Sequence, residues 1–174
     1  MNPAYLQPIA VIVGGLIAIA GGFLSSRMLE RQRLRQEERN LALAFKGEIS
    51  AILELIKERN YVGRFAQVVE QIETSGQAFF MPFRVRQKYE RVYEANVARI
   101  GLLRRPLPEE IPVFYTRFAS ILEDLTSLGD GTYAHLELPI VVRIYRDTIA
   151  ATERLILQGQ TIMTTISAKY ERSK

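Results

Sequence analysis

Cysteine is absent from the 174 residues, and histidine occurs once, at His135. Without cysteine there is no disulfide, no thiolate nucleophile and no cysteine-ligated metal, a composition compatible with the cytoplasm. A single histidine prevents the paired Glu-x-x-His pattern of di-metal helical bundles and leaves a zinc site short of converging ligands. No metal or other cofactor is expected. His135 follows Gly129-Asp130-Gly131, a strong loop signal, and reads as a surface or capping residue. A nucleophile–base–orienter set would have to be assembled around it from distant positions. Glu123 and Asp124 are adjacent, and neighbours on a helix do not face each other. With Glu48 and Glu54 they read as solvated charge or surface ion pairs. Gly14-Gly15 and Gly21-Gly22 lie in an apolar run, not at the strand–helix turn a phosphate loop needs. The chain is therefore expected not to be an enzyme.

Net positive charge is small as well. There are 23 basic and 19 acidic side chains, a formal +4. Residues 27–40 hold +2 of it, from five arginines against three glutamates, and the other +2 is spread over everything after residue 40. A nearly neutral domain lacks the clustered charge that displaces counterions from nucleic acid, so no nucleic-acid partner is expected.

Charge is missing altogether from residues 1–26. Ile9 to Leu24 reads IAVIVGGLIAIAGGFL, and Tyr5 and Leu6 extend the run. At ~1.5 Å per residue about 20 such residues cross ~30 Å of hydrocarbon. Pro8 suits a first helical turn. A buried core helix would need apolar surroundings on every side. A cleaved signal peptide wants basic residues before the run; here they follow it, although Ala18-Ile19-Ala20 resembles a cleavage site. The positive-inside rule then puts Arg27 to Arg39 in the cytoplasm and the short N-terminus outside. The C-terminal domain is accordingly predicted to lie in the cytoplasm.

Two stripes share this segment. Ala10, Gly14, Ala18, Gly22 and Ser26 recur every fourth residue. Small side chains on one helical face let a second helix approach closely within a bilayer, which predicts packing against another copy or a different protein. Arg27, Arg31, Arg35 and Arg39 are also four apart, so a helix continuing out of the membrane turns them to one face, near anionic headgroups.

The rest of the chain is expected to be all-α. Residues 1–26 are read as anchor, 27–40 as basic juxtamembrane helix and 41–174 as a helical bundle domain. Leu41, Phe45, Ile49, Ile52, Leu53 and Ile56 follow a helical period, which carries the first helix to about Asn60. Phe65, Val68, Val69 and Ile72 predict a second helix over 62–74, closed by Ser75-Gly76. Gln77 to Phe83 is read as a connection. A third helix is predicted from Arg84 to Leu103, with Val85, Tyr89, Val92, Tyr93, Asn96, Ile100 and Leu103 inward. After Arg104-Arg105-Pro106-Leu107-Pro108, a fourth helix takes Glu109 and Glu110 at its positive end and Pro112 in its first turn. Phe114, Phe118, Ile121, Leu122, Leu125 and Leu128 form its apolar face. The last helix is predicted from Glu137 to Tyr170, with Val141, Ile144, Tyr145, Ile149, Leu155, Ile156, Ile162, Met163 and Ile166 inward and Gly159 at a close crossing or bend. Amphipathic helices joined by short turns make an antiparallel bundle, and 41–174 is long enough to bury one core.

Asn96 falls among apolar positions. A buried amide needs partners, and Tyr89, Tyr93 and Tyr115 offer polar tips, so these four are expected to form a buried polar cluster. The stretches AFKGEISAILELIKERNY (44–61) and VYEANVARIGLLRRPLPEEIPVFYTRF (92–118) resemble a set of uncharacterised small bacterial membrane proteins that join an N-terminal span to a helical domain. That resemblance implies a bacterial inner-membrane setting and implies no catalytic residue. The functional expectation is a membrane-anchored interaction or scaffold module for a protein partner or a second copy. The alternative is a sensor or effector whose bundle holds a small ligand.

Overall fold

A computed structural model of the chain describes the backbone of residues 6–80 and 88–171, and side chains within those ranges from Ser26 onward. All regular structure among these residues is helical. Five α-helices follow in order: α1 Leu6–Glu58, α2 Tyr61–Ser75, α3 Arg91–Asn96, α4 Leu107–Gly129 and α5 Leu138–Ile166. A 3₁₀ helix, Val97–Leu102, continues α3, and a π turn, Ser167–Glu171, ends α5. The chain divides into two compact units, Met1–Asn40 and Leu41–Lys174.

In the first unit α1 is helical from Leu6 onward. The side chains of the expected membrane run, Ile9 to Leu24, and of Ala10, Gly14, Ala18 and Gly22 lie outside the described residues. Among the described residues no helix is long and apolar enough to cross a membrane. Ser26, Arg27, Arg31, Arg35 and Arg39 are exposed. Since α1 is helical throughout, the four arginines share one face.

The second unit is the helical bundle. The last part of α1 buries Leu41, Ala42, Phe45, Ile49, Ile52 and Ile56, the 3.6-residue stripe of the sequence, and α2 adds Phe65, Val68, Val69 and Ile72. Both α2 and α4 pack on α5. Gly76 closes α2 in the left-handed conformation (φ 65°), its N–H donating to the Ile72 carbonyl at 2.9 Å. A side chain there would pay the left-handed penalty that glycine avoids.

The fourth helix starts earlier than expected, at Leu107, which sets Pro112 in its second turn rather than its first. The missing N–H then costs the Pro108 carbonyl its helical partner. That early start buries Leu107 and Ile111 completely. Along α5, Thr148 and Thr152 join the buried face, each hydroxyl donating to the carbonyl four residues earlier (2.9 and 2.8 Å). The polar atom is thus satisfied within its own helix. Gly159 is buried, and a β-carbon there would come within 3.0 Å of both Leu53 Cδ1 and Phe114 Cε2. It marks a close packing point. At the C-terminal end Lys46 Nζ meets Glu171 at 2.7 Å, and the buried Tyr170 hydroxyl accepts from the Arg104 N–H at 3.0 Å.

The third predicted helix is corrected. Residues 81–87, including Val85 and the first part of that helix, lie outside the described residues, and Lys88 to Glu90 are not helical. Only Arg91–Asn96 is α-helical before the chain tightens to 3₁₀. Gly101 and the Arg104–Pro106 turn supply little helix propensity beyond that point. What starts the helix at Arg91 is not local, as the next section describes.

Candidate functional site

Among the described residues, a polar grouping that joins three helices, α1, α3 and α4, forms at Glu48. This carboxylate lies three residues after Phe45 and four before Ile52, within the apolar stripe of α1, and is half-buried. One oxygen accepts the Val92 N–H at 2.6 Å. The other accepts the Tyr93 N–H at 3.0 Å and the Tyr115 hydroxyl at 2.6 Å. Val92 and Tyr93 are the second and third residues of α3, so their N–H groups are among those a helix start leaves without internal partners. Glu48 does from a distant helix what an N-cap does locally.

Aromatic rings close the site. Tyr93 and Tyr115 stack with ring centres 4.2 Å apart and planes 18° apart. Phe114 meets Tyr115 edge-on at 5.3 Å, and Tyr89 meets Phe118 edge-on at 6.2 Å. Tyr115 is only 1% exposed. Burial first, and then its hydrogen bond to Glu48, hold its phenol far above the usual tyrosine range. It therefore stays a proton donor to Glu48. Glu90, just before α3, has its carboxyl pushed up by burial first, then by the nearby carboxylates of Glu94 and Glu48.

The expected cluster of Tyr89, Tyr93, Asn96 and Tyr115 is redistributed in this arrangement. Tyr93 and Tyr115 meet, but at Glu48. Asn96 is half-buried and turns to its own helix, donating to the Val92 carbonyl at 2.8 Å and accepting from Arg99 at 3.4 Å. Tyr89 contributes ring packing on Phe118. The reading of Glu48 as solvated charge is also corrected, since three protein donors replace water around it. Its place on the Phe45/Ile52 stripe was the available signal.

Chemically the grouping is a lock. Glu48 has both oxygens engaged by donors that hold three helices together, and charge-assisted bonds of this kind are among the stronger ones. The remaining titratable groups lie apart. His135 is exposed, in the loop where Asp130 accepts the Thr132 N–H at 2.9 Å and its hydroxyl at 2.6 Å. Glu123 is exposed; Asp124 is half-buried, with its carboxyl raised by burial first and then by Glu123 and Asp147. Among the described residues no group of three or more His, Asp or Glu side chains is placed to hold a metal ion. Comparison of the chain with protein-family models, with curated proteins and with solved structures finds no match.

Proposed function

We propose that this chain is a non-enzymatic, membrane-anchored interaction module. Residues 1–26 span the inner membrane with the N-terminus outside, and 41–174 form an antiparallel bundle in the cytoplasm that engages a protein partner or a second copy. The observation that carries this reading is the charge pattern on α1. One helix runs from Leu6 to Glu58. Its first part has no charged residue, its next turns carry Arg27, Arg31, Arg35 and Arg39 on one face, and its last part supplies Leu41 to Ile56 to a core. A charge-free segment followed by arginines is the pattern that retains a helix in a bilayer with its basic end inside. The arginine face then lies at anionic headgroups, and the Ala10/Gly14/Ala18/Gly22 spacing suits close approach of another membrane helix.

Fractionation tests the anchor. The full chain is expected in the membrane pellet after an alkaline carbonate wash and to require detergent for release. Recovery in the supernatant would refute the span. The stripe is tested separately by Gly14→Leu with Ala18→Leu, which keeps the segment apolar. That pair is expected to leave insertion intact and abolish a crosslinked species in membranes. An unchanged crosslink would assign association to the bundle instead.

A further inference from the structure

A cavity of about 380 Å³ opens among α1, α2 and α5, remote in sequence from the residues that bond Glu48. Its apolar floor comes from Leu53, Ile56, Ile156 and Met163. Its rim is polar: Ser50, Glu54 and Lys57 follow one another along a single face of α1, Asn60 stands in the turn, and Gln160 faces them from α5. Among the described residues no hydrogen bond or ion pair engages the side chains of these five. Elsewhere on the bundle some charged and amide groups are paired, as in Lys46–Glu171, Arg146–Glu73 and Arg117–Gln158, while others, such as Arg64, Glu123, Glu153 and Arg154, are exposed to water. Several helical hydroxyls, among them Ser75, Thr126, Thr161 and Ser167, bond back to their own helices; Ser50, like Ser120 and Ser127 on α4, does not.

Asn60 is the N-cap residue of α2, and its side chain makes no capping hydrogen bond. Asn60 adopts a left-handed conformation (φ 47°, ψ 47°), where glycine would sit without strain. Its side chain lies so close to Gly63 that a β-carbon there would stand 2.6 Å from Asn60 Nδ2. Gly63 thus leaves room for the Asn60 carboxamide over the first turn of α2, and Asn60 also lines the cavity.

We infer that this cavity binds a free α-amino acid with a large apolar side chain. The size falls within the range of small-molecule pockets, roughly 300–1,000 Å³, in which an apolar lining is combined with a few polar groups. The charge pattern selects the class. Lys57 and Glu54, three residues apart on one helical face, present one cation and one anion over an apolar floor. They complement a carboxylate and an ammonium carried on the same carbon. Asn60, Gln160 and Ser50 supply the remaining donors and acceptors, and the ligand's side chain covers Leu53, Ile156 and Met163. A simple fatty acid would leave Glu54 unpaired beside its own carboxylate, and an aliphatic amine would leave Lys57 so.

The test is calorimetric titration of the full chain, in a non-ionic detergent, with L-phenylalanine and L-leucine. Phenylalanine amide, lacking the carboxylate, and 3-phenylpropionate, lacking the ammonium, are run beside them. Saturable binding of the amino acids is expected, with each analogue weaker by about tenfold or more, the loss of one charge-assisted contact. Lys57→Met and Glu54→Gln, both exposed and outside the core, should each give a loss of similar size while the helical spectrum and melting curve stay unchanged. No saturable binding of either amino acid would overturn the assignment. So would binding that the two variants leave unaltered, or analogues that bind as well as phenylalanine. None of these readouts depends on whether residues 1–26 cross a membrane.

Discussion

Two regions of the bundle use α1 in opposite ways. Around Glu48, both carboxylate oxygens are committed: two backbone N–H groups and a phenol converge on them, and Tyr93 and Tyr115 stack beside them. Six residues further along, Glu54 and Lys57 stand over an apolar floor with no protein partner among the described residues. The difference lies in where each residue sits on the helical stripe. Glu48 falls between Phe45 and Ile52, so folding strips its water and α3 and α4 must replace it. Glu54 falls off that stripe and keeps its water. A desolvated carboxylate is worth what its donors return, so the first region depends on all three bonds. The second leaves its charges available to something that is not part of the chain.

The contrast predicts unequal responses to truncation. Glu48→Ala has the largest expected effect. It leaves three donors without their acceptor, and denaturant melts should show a loss of about 3 kcal/mol, whereas Glu54→Ala should stay within about 0.5 kcal/mol of the parent, as surface changes do. Equal losses would erase the distinction between the two regions. Tyr115→Phe is smaller, about 1 kcal/mol, because it removes one donor and leaves the stack with Tyr93 in place.

Glu90→Gln is smaller still and opposite in sign. The folded chain raises the Glu90 carboxyl above its usual range, chiefly by burial and then through Glu94 and Glu48. The folded state therefore holds that proton more tightly than the unfolded chain does. The stabilisation this gives is present below the ordinary carboxylate pKa and is lost as pH rises through the folded value. Removing the charge should raise the melting midpoint slightly near neutral pH. The gain should vanish at about pH 3, well below the ordinary glutamate value. A gain that persists in acid would mean that burial of Glu90 carries no charge penalty.

Much of this architecture follows from apolar spacing. Phe65, Val68, Val69 and Ile72 on α2, and Phe114, Phe118, Ile121, Leu125 and Leu128 on α4, are buried in the phase their periodicity predicts. Gly76 ends α2 because only the left-handed region lets the chain turn there cheaply. The segment before Asn96 was the least legible. Tyr89, Val92, Tyr93 and Ile100 have helical spacing, yet the helix begins where a carboxylate more than forty residues away satisfies its first N–H groups. No local pattern encodes such a cap. Glu48 itself was legible only as a charged residue in the wrong phase of an apolar stripe. Thr148 and Thr152 were hidden for a related reason: their hydroxyls bond to their own helix, so polar residues can occupy core positions. The cavity at Lys57 depends on how α2 and α5 meet α1, a tertiary fact that none of the three segments carries alone.

The absence of cysteine turns the proposed topology into a direct measurement, since every thiol will be an introduced one. Asn2→Cys lies in the N-terminal segment, and Ser120→Cys lies on the exposed side of α4. Each is expressed alone in a bacterial host and treated in intact cells with a maleimide that enters the periplasm but does not cross the inner membrane. The membrane-anchored account predicts labelling at position 2 in intact cells, and labelling at position 120 only after the inner membrane is opened. Labelling at position 120 in intact cells, or at neither position until lysis, would contradict it.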